Sequence, residues 1–156
     1  MITLTNNVQE INEIITDKEV RPWLSDDELT PFLTEIPKTH IYLKSSIDNQ
    51  LAGVFWFIKK NSICCEGHYA FKKEFWGKTK PEALEALEYI FTKTNYEKIE
   101  GQTPIDNRRA IAWLKSLGFE IEGNSKQSIK INNILIDQIY YGMRKERWDL
   151  TQSQRL

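Results

Sequence analysis

The sequence predicts an α/β fold of the α+β kind: a mixed, mostly antiparallel central sheet of six to seven strands with helices on both faces. Three patterns carry that prediction. Residues 40–45, 51–59 and 62–71 are rich in β-branched and aromatic side chains and are separated by short turns, which makes an antiparallel meander. Two amphipathic helical patterns follow, alternating with strand-like runs, and this alternation implies a mixed sheet covered on its faces. In the run 51–59, Leu51, Gly53, Phe55 and Phe57 alternate with Ala52, Val54, Trp56 and Ile58. Both faces are apolar, so this strand belongs at the centre of the sheet.

The elements follow in order. Val8, Ile11, Ile14 and Ile15 recur at helix spacing, and Asn7 with Glu10 resembles a capping box. That helix stops near Arg21-Pro22, because proline disfavours helix at the residue before it. Ser25 to Glu28 reads as a turn. Thr30-Pro31 then predicts a short helix with Leu29, Phe32, Leu33 and Ile36 on one side, ended by Pro37. Asp48-Asn49 and Lys60-Asn61 turn the meander. Residues 72–80 form a polar loop containing Gly77. Pro81 opens a helix with Ala83, Leu84, Leu87, Ile90 and Phe91 on its inner face. A strand over 97–103 ends at Pro104, and a second helix runs from about Asn107 to Leu117, stopped by Gly118. Strands are expected at 119–123, at 128–131 and through 137–144, with a turn at Asn132-Asn133. Residues 1–148 read as a single domain and 149–156 as a polar tail that frays.

Composition bounds the function. The chain has 156 residues, 21 basic and 22 acidic, and a net charge of -1, which gives no electrostatic pull toward nucleic acid or an anionic membrane. Cys64 and Cys65 are the only cysteines; as neighbours on a strand they point to opposite faces. With His40 and His68 as the only histidines, no metal-ligand spacing appears, and a reducing cytoplasm is expected. The N-terminal residues MITLTNNVQE carry no signal-peptide pattern, and no apolar run approaches membrane-spanning length.

Two stretches carry the chemistry. Residues 67–91 run from a strand through the loop around Gly77 to the start of a long helix. A helix N-terminus offers unpaired N–H groups to phosphate, and Lys78 and Lys80 add positive charge. Residues 101–123 give a strand, a loop ending in Asn107, and a helix closing in Gly118-Phe119. Alone, each stretch also reads as an ordinary loop before a helix, with Asp106 or Asn107 as a cap.

In this order the two resemble the GNAT superfamily of N-acetyltransferases. Its members have a Q/R-x-x-G-x-G/A loop before the third helix and an N-x-x-A…G-F pattern after the fifth strand. Asn107, Ala110, Gly118 and Phe119 stand in the second pattern. The words FWGK and EAL, Ile121-Glu122-Gly123, and Ile136-Asp137 with Tyr140, Tyr141, Arg144 and Trp148 resemble the RimJ/RimL branch, which acetylates protein N-termini and related amines. Val20-Arg21-Pro22, Glu66-Gly67-His68, the Phe91 to Thr94 stretch and the Thr103 to Ala110 stretch resemble small GNAT-like proteins of tailed phages. The resemblance covers residues 20–148. Three positions depart from the pattern: Glu74 stands for Gln or Arg, Thr79 for the second Gly or Ala, and Leu114 for a tyrosine that serves many members as general acid.

The resemblance implies acetyl-CoA as cosubstrate, no metal, and direct attack by an unidentified amine acceptor: a protein N-terminus, a lysine or a small amine. It implies that Glu74, Phe75, Trp76, Gly77, Lys78, Thr79 and Lys80 hold the pyrophosphate. It further implies that the strand at Tyr69, Ala70 and Phe71 binds the arm and polarises the carbonyl, and that Asn107 and Ala110 complete the cofactor site. Partners would exclude nucleic acid and membrane, in a monomer or homodimer in the cytoplasm (the host's, for a phage protein). For the base, Glu66 and His68 are the candidates. They lie two apart on a strand and so face one side, and an imidazole titrates near neutral pH. From the residues alone, the same two form a structural pair equally well. Trp23, Trp56 and Tyr42 are expected in the core, Trp76 at the surface of its loop. A catalytically silent binding or phage assembly protein is the competing function.

Overall fold

The computed structural model describes residues 1–154. Its strands are β1 (Ile2–Leu4), β2 (His40–Ile47), β3 (Gln50–Lys59), β4 (Cys64–Phe71), β5 (Lys98–Pro104), β6 (Glu120–Ile131) and β7 (Ile134–Arg144). Its helices are α1 (Val8–Ile15), α2 (Lys80–Lys93), α3 (Arg108–Leu117) and α4 (Lys145–Ser153). The strands form one sheet in the order β1-β2-β3-β4-β5-β7-β6. Every neighbouring pair is antiparallel except β4–β5, the two strands linked through the α2 crossover.

Local chemistry explains the boundaries. Asn7 caps α1 by accepting from the N–H groups of Gln9 and Glu10. The Glu10 carboxylate does not close the expected box; it takes Lys44 Nζ at 2.8 Å and the Thr5 hydroxyl at 3.2 Å. The turns at Asp48-Asn49 and Asn132-Asn133 have φ of 51° and 61° at their two positions, the left-handed geometry that suits the twist of a two-residue hairpin and that Asn and Asp tolerate. Gly118 ends α3 at φ 103°, as its sequence position predicts.

Two apolar layers flank the sheet. Leu43, Phe55, Phe57, Cys65, Ile99 and Met143 pack with α2, α3 and Trp148 of α4 on one face. Tyr42, Val54 and Ala70 pack with Ile11, Ile14 and Ile15 of α1 on the other. The expected covering of both faces is therefore present, and β3 contributes to both layers.

Five further expectations are corrected. The first helix ends at Ile15, capped at Thr16, rather than near Arg21-Pro22, where a separate 3-10 turn, Arg21–Trp23, stands with proline at its start. Residues 29–36 form no helix. Instead Asp26 Oδ1 accepts from the N–H groups of Glu28 and Leu29, and both backbone groups of Leu33 bond to the Asn12 side chain. Side chains thus satisfy the backbone that a helix would have used. Residues 119–131 form one bulged strand from Glu120 onward rather than two, with register shifts against β7. The tail is α4 through Ser153, anchored by Trp148 at 3% exposure; residues 155–156 lie outside the described residues. Trp23 is 55% exposed, not in the core. The short edge strand β1 had no sequence signal of its own.

Candidate active site

The pairing of β4 with β5 stops early. Cys64, Cys65 and Glu66 face Lys98, Ile99 and Glu100, and no further pair forms. Beyond that point β4 stays with β3 as far as Phe71, while β5 follows β7 as far as Pro104. Strand twist pulls the two apart, leaving a wedge with unpaired backbone edges at residues 67–71 and 101–104. Under the wedge lies a cavity of about 30 Å³, lined by Gly67, Tyr69, Trp113, Leu114 and Tyr141 among others. Among the described residues Trp113 Nε1 is buried without a hydrogen-bond partner, and the Trp113 ring lies 4.2 Å from that of Tyr69.

Glu66 and His68 share one face of β4, at the head of the wedge. His68 Nε2 lies 2.7 Å from Glu66 Oε1, an ion-pair distance whose alignment falls short of a hydrogen bond. Their side chains are 29% and 31% exposed, while the His68 Nε2 atom itself is buried against Glu66. The imidazole beside it holds the Glu66 carboxyl below the usual carboxylate range, against burial, which pushes it upward. Trp56 stacks on His68 at 5.1 Å and 9°, and Tyr42 stacks on Trp56 at 6.2 Å and 16°. Leu24, Leu33 and Ile36 pack, as Trp56 does, against the apolar layer that Tyr42 shares with α1. The nearby Glu100 is occupied by Lys60 and Lys98, which leaves Glu66 as the carboxylate turned to the acceptor face.

The expected phosphate-binding loop is a single 3-10 turn, Lys73–Phe75, running into α2. Gly77 takes φ 87°, a left-handed backbone that side chains disfavour. Among the described residues the N–H groups of Gly77, Thr79 and Lys80 make no backbone hydrogen bond, and the α2 N-cap Thr79 has no side-chain cap bond. Lys78 and Lys80 are exposed. The sequence-predicted residues divide here. Gly77 to Lys80 stand together at the helix start. Glu74 is exposed to solvent. The Phe75 side chain is buried in the core, and Ala70 packs toward α1, so both offer only backbone. Asn107 Oδ1 accepts from Ala110 N at 3.2 Å, the capping role its position allowed, which leaves its amide nitrogen as the group free for a ligand.

Trp76 is half-buried and donates from Nε1 to the Phe71 carbonyl at 2.8 Å. Arg109 of α3 covers its ring at 4.6 Å, tying the loop to the start of α3. Arg109, Trp113 and Tyr141 were not expected at the site. Arg109 meets the loop only through the fold. Trp113 carried no sequence signal and Tyr141 only its place in the last-strand pattern; both line the cavity beside the early end of the β4–β5 pairing. Both cysteines are buried and unpaired, with burial pushing the Cys65 thiol up to about 12, so they pack rather than react.

Comparison with known proteins bears on the fold and the family. No curated protein matches the sequence. A mutant of the spermidine N-acetyltransferase SpeG from Vibrio cholerae superposes with a TM-score of 0.80 at 17% identity, covering 98% of this chain and 99% of its own. The same enzyme in complex with CoA and spermine gives 0.78 at 17%, covering 94% and 97%. A structure named as a probable acetyltransferase gives 0.64 at 22%, covering 71% of this chain and 65% of its own. At these identities the likeness establishes the fold. The family model for the acetyltransferase (GNAT) domain matches residues 2–140, and the chain belongs to the GNAT acetyltransferase family.

Proposed function

We propose that this acetyltransferase moves the acetyl group of acetyl-CoA onto the amine of a small cationic acceptor, by direct attack in a ternary complex. The observation that carries the reading is the Glu66–His68 pair at the head of the wedge. The protein fits the cosubstrate. The N–H groups of Gly77, Thr79 and Lys80, with Lys78 and Lys80 beside them, suit a pyrophosphate. The unpaired edge of β4 at Tyr69, Ala70 and Phe71 suits an amide-bearing arm, and Asn107 and the unpartnered Trp113 Nε1 add donors. Bound there, acetyl-CoA supplies an activated thioester carbonyl.

The residues then have separable roles. The N–H groups of β4 near Tyr69 to Phe71 hold the carbonyl oxygen and stabilise charge that grows on it. Glu66 and His68 take the proton from the attacking amine, within the wedge that positions both reactants. The row of Tyr42, Trp56 and His68, ending at the Glu66 carboxylate, offers ring faces and a negative charge, the two features that favour a cation. The spermine in the related complex is of this chemical class. A protein N-terminus or a lysine, the acceptors of the RimJ/RimL branch, present a single amine flanked by peptide. The unpaired Cys64 and Cys65 support a cytoplasmic setting, of a host cell if the chain is phage-encoded.

The test is a calorimetric titration with acetyl-CoA, followed by an acceptor panel of polyamines, N-terminal peptides and lysine peptides. Saturable binding with turnover on polyamines supports the proposal. Turnover confined to peptides would move the acceptor to the RimJ/RimL class. A folded protein that binds no acetyl-CoA would favour a silent binding role.

A further inference from the structure

The pairing of β2, β3 and β4 sets Tyr42 opposite Trp56 and Trp56 opposite His68. The three rings stand as a stack on the α1 face, Tyr42 against Trp56 at 16° and Trp56 against His68 at 9°. Tyr42 is 4% exposed and its hydroxyl meets His40 Nδ1 at 3.3 Å, so the stack is backed at its inner end. At its outer end β4 has already parted from β5, and no paired strand stands beside His68. On β4's two flanks the imidazole therefore has one wall, the Trp56 indole.

That wall constrains what His68 can do. An imidazole accepts a proton in the plane of its ring, through whichever nitrogen lacks a hydrogen. Turning the ring out of the stack would drive its edge into the indole, so Trp56 fixes the plane. Glu66 selects the nitrogen. Its Oε1 lies 2.7 Å from Nε2, and a carboxylate at that distance repels a bare lone pair, so the hydrogen of the neutral ring sits on Nε2. Nε2 is buried, whereas Nδ1 has no hydrogen-bond partner among the described residues and keeps contact with solvent.

We propose that His68 Nδ1 is the atom that takes the amine proton, and that Glu66 and Trp56 are positioning residues, one fixing its tautomer and the other its ring plane. The inference rests on the acetyl-transfer reading above and narrows its base to one atom. Glu66 is itself a poor base, because the imidazole holds its carboxyl below the ordinary carboxylate range, against the opposing push of burial. Of the other charged groups nearby, Lys60 and Lys98 are engaged by Glu100, and His40 lies two strands away on Tyr42. As the nitrogen–carbon bond forms, the carbon–sulfur electron pair leaves onto sulfur and the amine proton passes to Nδ1. The imidazolium, with hydrogens on both nitrogens beside the Glu66 charge, then releases the Nδ1 proton to solvent. Sulfur takes a proton from solvent.

His40 and His68 are the only histidines, so nitrogen-15 NMR of the imidazoles separates them, with His40→Gln identifying which is which. With the rings neutral, the wild type is expected to show hydrogen on Nε2 of His68 and a bare Nδ1, and Glu66→Gln to lose that bias. Trp56→Leu is expected to lower kcat on the order of 100-fold with KM for acetyl-CoA unchanged, because the base is displaced and not removed. Trp56→Phe, which keeps a ring face against the imidazole, restores most of the rate. Hydrogen on Nδ1 in the wild type, or full kcat in folded Trp56→Leu, would overturn the proposal. The wild-type spectrum needs neither variant nor substrate, so it decides the tautomer even where Trp56→Leu does not fold. The expected tautomer in a protein that acetylates no amine would overturn the acetyl-transfer reading, and with it the role of Nδ1 but not its geometry.

Discussion

Glu66 and His68 are two residues apart on β4, and that spacing alone places them on one face, so their shared side was readable in the sequence. Their contact at 2.7 Å and their place at the wedge head were not, because both depend on where β4 leaves β5. Glu66→Gln and His68→Ala are each expected to lower turnover by about 100-fold while acetyl-CoA affinity, read by calorimetry, survives. Unchanged turnover in both would remove the base assignment. Glu66 also ties stability to pH. Its carboxyl titrates lower folded than unfolded, so its contribution is fully present above the ordinary carboxylate value. That contribution is lost as pH falls through the lower folded value. Denaturant titration should therefore show the gap between wild type and Glu66→Gln closing in acid. At Gly77 no atom lies within 4 Å of an added Cβ, so Gly77→Ala meets only torsional cost at φ 87°. That cost is about 1–2 kcal/mol, visible as a lowered denaturation midpoint or a displaced loop with weaker cofactor binding. Arg109 escaped the sequence reading for a different reason. An arginine in a helix's first turn is a common solvated charge, and only the folded chain lays it over Trp76.

Element by element, apolar periodicity revealed α1, α2, α3 and the meander, where each element's own pattern decides its structure. It misled at residues 29–36. There the spacing of Leu29, Phe32, Leu33 and Ile36 suits a helix, but Asn12 takes the backbone of Leu33, and Asp27 takes the N–H groups of Asn132 and Asn133 at 2.6 and 2.8 Å. Those partners lie 21 to 106 residues away, beyond any local rule. The segment is thereby pinned between α1 and the β6–β7 turn, with Leu24, Leu33 and Ile36 packed against the apolar layer on the α1 side of the sheet. Asp27→Ala should free it, and hydrogen exchange at Asn132 and Asn133 should quicken while the core of α2 keeps its protection. Unaltered exchange would show that the clasp carries no weight. The C-terminal residues misled in the opposite sense. Polar composition suggests fraying, yet Trp148 packs against Phe91 with ring centroids 6.1 Å apart and anchors α4. Trp148→Ala is expected to cost about 3–5 kcal/mol in denaturant unfolding, as a buried aromatic truncation does, and a value near zero would return the segment to a frayed tail.

For the whole molecule, the alternation of strands and helices, with the Gly77 loop and the Asn107 to Phe119 pattern in sequence order, was enough to indicate the architecture. The seven-stranded sheet and the family match on residues 2–140 agree with it. What one sequence could not supply is the two-sided character of the site. Titratable groups lie on the α1 face and buried phenols on the α2–α3 face, with the unpaired stretch of β4 between them. That arrangement follows from a single parallel pair inside an antiparallel sheet, whose two strands are each drawn away by an antiparallel neighbour. The departures at Glu74 and Thr79 also look different in three dimensions. Glu74 is exposed to solvent, and Thr79 is a buried N-cap whose N–H makes no backbone hydrogen bond among the described residues. The measurement that bears most directly on the central claim is release of free thiol from acetyl-CoA when spermidine is added to the purified protein. The account predicts saturable release that depends on the amine and equals the amide formed. Acetyl-CoA bound by a folded protein, with no release above background for any amine, would contradict it.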